Sequence, residues 1–146
     1  MEAVLLVHVA ATVFMVGVIW FVQIVHYPLF GRVGRDGFAD YSAAHSRLTG
    51  LLVGPPMLVE AATTVALVVR PPQGVSSFLP MLGLLLLAVV WLSTAFLQSP
   101  RHGVLGRGFR SASHRSLVRS NWIRTACWTF RGLLVLWMAA GVTPPA

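Results

Sequence analysis

Residues 120–134 read SNWIRTACWTFRGLL, an apolar helical segment that carries two arginines seven residues apart. Seven residues are close to two turns of an α-helix, so Arg124 and Arg131 project from about the same face. A charged side chain in hydrocarbon costs several kcal/mol, and such side chains therefore face the interior of a helix bundle and pair there. The segment predicts a membrane helix whose arginine face meets polar partners on other helices.

The composition is that of a membrane protein. Of the 146 residues, 56% are hydrophobic and 10% are charged, and the mean hydropathy is +0.76. A soluble domain carries roughly a quarter charged residues. A chain this short forms one domain, which we predict over residues 1–146. Its single cysteine, Cys127, excludes an internal disulfide and a metal site made of cysteines alone.

Four apolar runs are each long enough to cross the hydrocarbon of a bilayer, which takes about 20 residues. They predict spans at about residues 4–25, 38–69, 78–98 and 119–142. We expect a kink in the second span at residues 54–56 (GPP), because proline removes a helix hydrogen bond. The proline pairs at 71–72 and 144–145 are typical of helix ends. The expected fold class is all-α, an integral membrane, antiparallel four-helix bundle.

The arginines outside the apolar cores of the spans concentrate on one side of this topology. The first and third connections are flanked by Arg32, Arg35, Arg47, Arg101, Arg107, Arg110, Arg115 and Arg119. The opposite side has only Arg70. Because basic residues collect in cytoplasmic connections, both termini are expected outside. The formal charge of +7 thus reflects topology, and the expected partner is the lipid bilayer rather than nucleic acid, for which there is no motif.

Polar residues collect in two layers when the spans are folded side by side at a rise of about 1.5 Å per residue. The layer near the cytoplasmic boundary contains His26, Tyr27, Tyr41, His45, Gln98, His102, Asn121 and Arg124. Histidine is the commonest metal ligand, so His26, His45 and His102 are candidate ligands of zinc, copper, iron or haem. Alternatively, they are ordinary solvated residues at helix ends. His114, in a connection rich in serine and arginine, is interpreted as a solvated loop residue.

The deeper layer contains Glu60 and Arg131, which reach comparable depth on the second and fourth spans. They are predicted to form a buried ion pair. The pair either fixes the register of the helices or takes part in substrate binding or proton relay. His8 lies near the outer end of the first span and is assigned to neither layer. Tyr41 and Trp128 have a second interpretation as aromatic residues at the membrane boundary.

Five sequence patterns cover nearly the whole chain. They are W-F-x-Q-x-V-H-Y-P-L-F at residues 20–30, F-x-x-Y-x-x-x-H at 38–45, P-P-M-L-x-E at 55–60, S-P-R-H at 99–102 and N-W-I-R-T-x-x-W-x-x-R at 121–131. Together they resemble a widespread class of small uncharacterised bacterial four-helix membrane proteins, which implies a multi-pass protein of the bacterial inner (cytoplasmic) membrane.

More distantly, the layout is similar to the anthrone-oxygenase-like membrane proteins and to the small bacterial four-helix protoporphyrinogen oxidase. The second likeness implies haem on a histidine of the first helix, here His8 or His26. The lysine typical of that oxidase has no counterpart, since this chain contains no lysine. That difference argues against protoporphyrinogen oxidation itself, and a shared fold does not fix a function.

Two classes of function follow from these residues. The first is a small membrane-embedded redox enzyme, oxygenase- or oxidase-like, that uses a histidine-bound metal or haem on an apolar small molecule such as a quinone, a polyketide or a porphyrin. Its candidate catalytic residues are Tyr41, Glu60, Arg124 and Arg131. Its candidate substrate-binding residues are Asn121, Gln98 and Trp128.

The second class is non-enzymatic: a small transporter or a subunit of a larger membrane complex. Four helices make a thin transport unit, so transport requires a homo-oligomer. Glu60 would bind a proton or a cation in mid-membrane, with Arg131 as its switchable partner. Histidines at a boundary favour ligation, whereas a mid-membrane acid favours transport, and the sequence contains both.

Overall fold

The computed structural model describes residues 1–142 and forms four long helices. We number them α1 (Glu2–Phe30), α2 (Phe38–Val69) and α3 (Phe78–Leu105), followed by α4 (Ser111–Ala140). As predicted, the described part of the chain is all-α, and it contains no strand. The proline pair at 144–145, predicted to end the fourth span, lies outside the described residues.

Three of the helices, α1, α2 and α3, are long and apolar enough to cross a membrane. Helix α4 is not among them, because its first turns are rich in serine and arginine and its apolar part carries Arg124 and Arg131. Three spans therefore support the prediction of a membrane protein. The crossing of the membrane by α4 stays a prediction.

The surface and the interior have the polarity that a lipid environment favours. Large apolar side chains project outward, among them Leu51 on α2 (69% exposed), Leu85 on α3 (62%) and Trp137 on α4 (72%). Glu60 and Arg131, by contrast, are 0% exposed. An apolar surface of this extent is typical of contact with lipid or with partners. Polar groups gathered inside hold membrane helices together by hydrogen bonds as well as by packing.

Each helix packs closely along two neighbours, since α1 and α3 both pack on α2 and on α4. At one end of the molecule, Leu5, Leu67 and Val135 form an apolar cluster that includes Val75 of the second connection. At the other end, the last turns of α1 and α3 meet the first turns of α2 and α4. The first and third connections therefore share one end, which is the arrangement that the predicted orientation requires.

Helices α1 and α3 each contain one wide π-helical turn, at Val22–His26 and at Thr94–Gln98. Each of these turns ends two residues before a proline, Pro28 in α1 and Pro100 in α3. Proline has no N–H, and its ring collides with the carbonyl four residues earlier. A widened turn accommodates this defect within a continuing helix. This is why both helices run on to Phe30 and Leu105, beyond the predicted limits at residues 25 and 98.

The bounds of α2 agree with the predicted ones, whereas the start of α4 does not. Helix α2 has the predicted bounds and continues through residues 54–56, so the kink expected there stays a prediction. Helix α4 begins at Ser111, not at about residue 119. The segment of serines and arginines before the fourth span is thus helical and extends α4.

The contact between α1 and α4 provides a test of this packing. A Cβ added to Gly132 would lie 2.9 Å from Cγ2 of Val16, and valine is stiff at χ1. We expect Gly132→Ala to lower stability by about 1–3 kcal/mol through overpacking, measured as thermal unfolding in detergent. Val16→Ala in the same chain should restore part of the loss. Gly17→Ala is the matched control, because a Cβ there meets nothing within 4 Å. A wild-type melting temperature for Gly132→Ala would contradict this contact.

Candidate functional site

The predicted pair of Glu60 and Arg131 is present, with Arg131 Nη2 at 3.2 Å from Glu60 Oε1 and both side chains fully buried. The carboxylate is satisfied on both oxygens. Thr12 Oγ1 donates to Oε1 at 2.8 Å, and Trp128 Nε1 donates to Oε2 at 2.9 Å. The guanidinium donates from Nη1 to the carbonyl of Gly83 and from Nη2 to Thr64 Oγ1 at 3.3 Å.

This network, which we call the ion-pair layer, takes members from all four helices. They are Thr12 of α1, Glu60 and Thr64 of α2, Gly83 of α3, and Trp128 and Arg131 of α4. Hydrogen bonds of this kind offset part of the cost of burying the two charges. The ion-pair layer thus fixes which face of each helix points inward.

Two further residues lie at or beside this layer. His8, which was assigned to neither layer, is buried one turn before Thr12 on α1 and shares a 2.8 Å hydrogen bond with Thr63 Oγ1. It also lines a small cavity of about 10 Å³ together with Arg131. Trp128, predicted to bind substrate, donates to Glu60, and its role in substrate binding stays a prediction.

The second layer, here called the histidine cluster, brings His26, His45 and His102 together as predicted. His26 Nε2 and His45 Nδ1 share a hydrogen bond of 2.7 Å, and Thr49 Oγ1 lies 3.1 Å from the same His45 nitrogen. The rings of His45 and His102 are stacked with centroids 5.3 Å apart. Tyr27 OH and His102 Nε2 share a hydrogen bond of 3.0 Å. The cluster therefore contains two hydrogen-bonded pairs, His26–His45 and Tyr27–His102, which meet through the stacked rings of His45 and His102.

A metal ion does not fit this cluster as it is arranged. Within residues 1–142, no group of three or more His, Cys, Asp or Glu side chains has a geometry that could hold a metal. Two of the nitrogens that would serve as ligands, His26 Nε2 and His45 Nδ1, are directed at each other. A ligand nitrogen must direct its lone pair at the metal. The binding of a metal or haem by His26, His45 and His102 stays a prediction.

A cavity of about 460 Å³ lies between the helices beside the histidine cluster. One part of its wall is apolar and includes Met15, Ile19 and Val53. The polar part is formed by Tyr27, His45, Gln98, His102 and Arg124. This size and this mixture of apolar walls with a few convergent polar groups are typical of small-molecule sites, which occupy roughly 300–1,000 Å³.

Three of the polar atoms around this cavity are buried without a hydrogen-bond partner among the described residues. They are Gln98 Oε1, His102 Nδ1 and Arg124 Nε. A buried polar atom that makes no hydrogen bond costs about 1–3 kcal/mol. The three atoms offer one acceptor and one donor in Gln98 and Arg124, and in His102 a nitrogen whose role depends on the tautomer. All three belong to residues that line the cavity, so a bound molecule with oxygen functions would lie beside them.

The other residues predicted for this layer lie outside the cavity wall. Asn121 stands behind it, donating to Gln23 Oε1 at 2.9 Å and accepting from Arg124 Nη1 at 3.3 Å. Tyr41 is half-buried and packs against Phe30 with ring centroids 5.4 Å apart. It is Tyr27, and not Tyr41, that contacts a histidine through its hydroxyl.

His114 is a further correction, because it is not a solvated loop residue. It lies in the first turn of α4 and shares a 2.7 Å hydrogen bond with the carbonyl of Tyr27. Its ring stacks on Phe30. The carbonyl is one of the last four of α1, which ends at Phe30 and leaves these carbonyls without helical partners. His114 thus ties the start of α4 to the end of α1.

Sequence reasoning also missed residues that support the cluster. Gln23 accepts from Thr125 Oγ1 at 3.3 Å as well as from Asn121, and it donates to the carbonyl of Val118. One signal was available, because a glutamine inside an apolar span requires buried partners. Thr125 and Thr49 gave no such signal, since threonine also bonds its own helix.

Comparisons with known protein families, with curated proteins and with solved structures found no match to this chain. The resemblance to four-helix membrane proteins therefore stays a prediction. The class supported by the structure is an all-helical protein with three helices able to span a membrane.

The ion-pair layer leads to a testable prediction about the stability of the protein. Glu60→Leu or Arg131→Leu alone leaves one charge buried without its partner, which costs about 3–5 kcal/mol. The double variant removes both charges, so we expect it to be more stable than either single variant in detergent unfolding. Glu2→Leu is the control, because Glu2 is exposed. If the effects of the two single variants simply add in the double variant, the pair does not contribute as a pair.

Proposed function

We propose that this protein is a small membrane-embedded redox enzyme that binds an apolar molecule with oxygen functions, of the quinone or phenol class, in the cavity beside the histidine cluster. The observation that carries the proposal is a largely apolar cavity whose lining includes three residues, Gln98, His102 and Arg124, that each have a polar atom buried without a partner among the described residues. The apolar walls would pack against the ring of the molecule, and the polar side chains would form hydrogen bonds with its oxygens. A molecule of this class dissolves in lipid and reaches such a cavity from the membrane.

Arg124 and Gln98 would bind the oxygens of this molecule. Arg124 is 8% exposed, and its guanidinium carbon lies 5.2 Å from the ring centroid of Trp128, which holds it in place. It retains a free N–H at Nε. Gln98 is held by its Nε2, which donates to Ser120 Oγ at 3.2 Å, so that Oε1 is left for a hydroxyl. A charged donor and a neutral acceptor together suit a carbonyl beside a hydroxyl.

The Tyr27–His102 pair would exchange protons with the bound oxygen. Conversion of a quinone to a hydroquinone takes up two protons and two electrons, and imidazole is suited to proton transfer near neutral pH. His102 Nδ1 is the unpaired nitrogen beside the cavity, and Nε2 contacts Tyr27. The chain would supply binding and proton transfer, and the two electrons would come from a second molecule of the hydroquinone class, which is oxidised to its quinone and releases two protons.

The proposal includes the topology and location expected from the sequence. The four helices would form an antiparallel bundle in the bacterial inner membrane, with both termini outside and the arginine-rich first and third connections in the cytoplasm. The cavity would then lie near the cytoplasmic boundary, where protons are exchanged with water. The grouping of those two connections at one end supports this orientation.

Transport through Glu60 and Arg131, or a role as a subunit, is the alternative prediction. The structure offers it less support, because Glu60 is 0% exposed and both its oxygens are engaged. The adjoining cavity holds only about 10 Å³, which is no more than about one water molecule. We therefore assign these two residues to the fold and not to catalysis.

Binding of a hydroquinone without a side chain tests the proposal, because its hydroxyl can donate to Gln98 Oε1, whereas a benzoquinone has no donor. We expect Gln98→Leu to weaken binding about tenfold, because one hydrogen bond worth about 1.4 kcal/mol is lost. Titration of the protein in detergent micelles, followed by tryptophan fluorescence, measures the affinity. Gln73→Leu is the matched control, because Gln73 is exposed in the second connection. Equal affinities in the two variants would contradict the assignment of Gln98.

An absorbance spectrum and elemental analysis of the purified protein test the predicted metal or haem. The hydrogen-bonded arrangement of His26 and His45 leads us to expect a protein without stoichiometric metal that still binds the quinone. A Soret band, or one metal ion per chain that is lost in His45→Ala and kept in His114→Ala, would contradict this expectation. That result would make the histidine cluster a metal centre.

A further inference from the structure

A second cavity, of about 470 Å³, opens on the outer flank of α1 and α2. We call it the flank groove, and its own lining comprises Val13, Phe14, Gly17, Phe21, His26 and Leu52. Its walls are apolar apart from His26 and Thr49. Phe21 is 57% and Leu52 is 54% exposed, so the groove faces outward, where lipid chains lie.

The flank groove adjoins the cavity beside the histidine cluster. Val18 and Val22, one turn apart on α1, line both spaces, and so does Thr49 of α2. His26 belongs to the groove and His45 to the cavity, and their 2.7 Å hydrogen bond lies at the junction. The two spaces therefore adjoin at Val18, Val22, Thr49 and the His26–His45 contact.

We propose that the flank groove holds the apolar tail of the molecule whose oxygen-bearing head lies in the cavity, an inference that rests on the proposed function. The polar atoms that select a head are found in the cavity, whereas the groove is apolar and faces lipid. The substrate class narrows to an amphiphile with a compact ring and a flexible alkyl or prenyl chain. The molecule enters sideways between α1 and α2, past the His26–His45 contact.

Two glycines allow each space to be blocked separately. Gly17 lines the groove and Gly50 lines the cavity, and a Cβ at either position meets nothing within 4 Å. Gly17→Phe would fill the groove and Gly50→Phe the cavity, each without a backbone clash. Gly54 is equally open and lines neither space, so Gly54→Phe is the matched control.

The experiment uses a benzoquinone whose alkyl tail carries a photoreactive diazirine, reconstituted with the full-length protein in liposomes. Excess tailless benzoquinone competes for the head site. Labelling counts as specific, here called competed labelling, only where this competitor abolishes it. We expect competed labelling on residues 13–21 and at Leu52. Gly17→Phe should abolish this labelling and keep the affinity for tailless quinone, Gly50→Phe should abolish both, and Gly54→Phe should keep both.

Failure of the inference is distinguishable from failure of the proposed function. If tailless quinone binds but the competed label maps to other helices, or survives unchanged in Gly17→Phe, the groove does not hold the tail. If tailless quinone does not bind to the unmodified protein at all, the proposed function is wrong and the inference falls with it. Retained binding of tailless quinone by Gly17→Phe also shows that this variant is folded.

Discussion

The contact between Glu60 and Arg131 is the constraint on which the rest of this structure depends. The two charges are fully buried, and their hydrogen bonds reach all four helices. Since an unpaired charge in hydrocarbon is costly, a rotation of α2 or α4 that separates the pair is strongly disfavoured. Arg124 lies two turns before Arg131 on α4, so the same rotation that pairs Arg131 points Arg124 inward, toward the cavity. Arg131 therefore holds the helices together, and Arg124 is the arginine that we propose for ligand binding.

The division follows from the free volume beside each polar layer. In the ion-pair layer, both carboxylate oxygens are used, and Arg131 Nε, which has no partner among the described residues, adjoins a cavity of only about 10 Å³. Gln98, His102 and Arg124 also have buried atoms without partners, but these residues line a cavity large enough for a small molecule. A network without free volume stabilises one arrangement, whereas unpaired groups beside a cavity leave capacity for binding. The same residue type thus has a structural role at position 131 and a proposed binding role at position 124.

Much of this could be predicted from the sequence, because it depends on hydrophobic length and on the cost of buried charge. The four helices, the ion pair and the meeting of His26, His45 and His102 follow from those two considerations. The rotation of individual side chains could not be predicted. A π turn inserts about one extra residue and so turns the side chains that follow by about 100°, which accounts for the inward position of Tyr27. The hydrogen bonds of Trp128 to Glu60 and of His8 to Thr63 were not predicted, because apolar bulk and helix-end position did not reveal these partners. His114 was misplaced because its partner is a backbone carbonyl in the last turn of α1.

The most direct test of this account compares Arg124→Met with Arg131→Met, measuring thermal unfolding in detergent with and without saturating tailless benzoquinone. The account predicts that Arg131→Met unfolds at a much lower temperature without ligand. Arg124→Met should keep nearly the wild-type temperature without ligand but lose the stabilisation that bound quinone provides. If Arg124→Met is stabilised by quinone as much as the unmodified protein, or if Arg131→Met unfolds at the wild-type temperature, the proposed division between the two arginines is wrong.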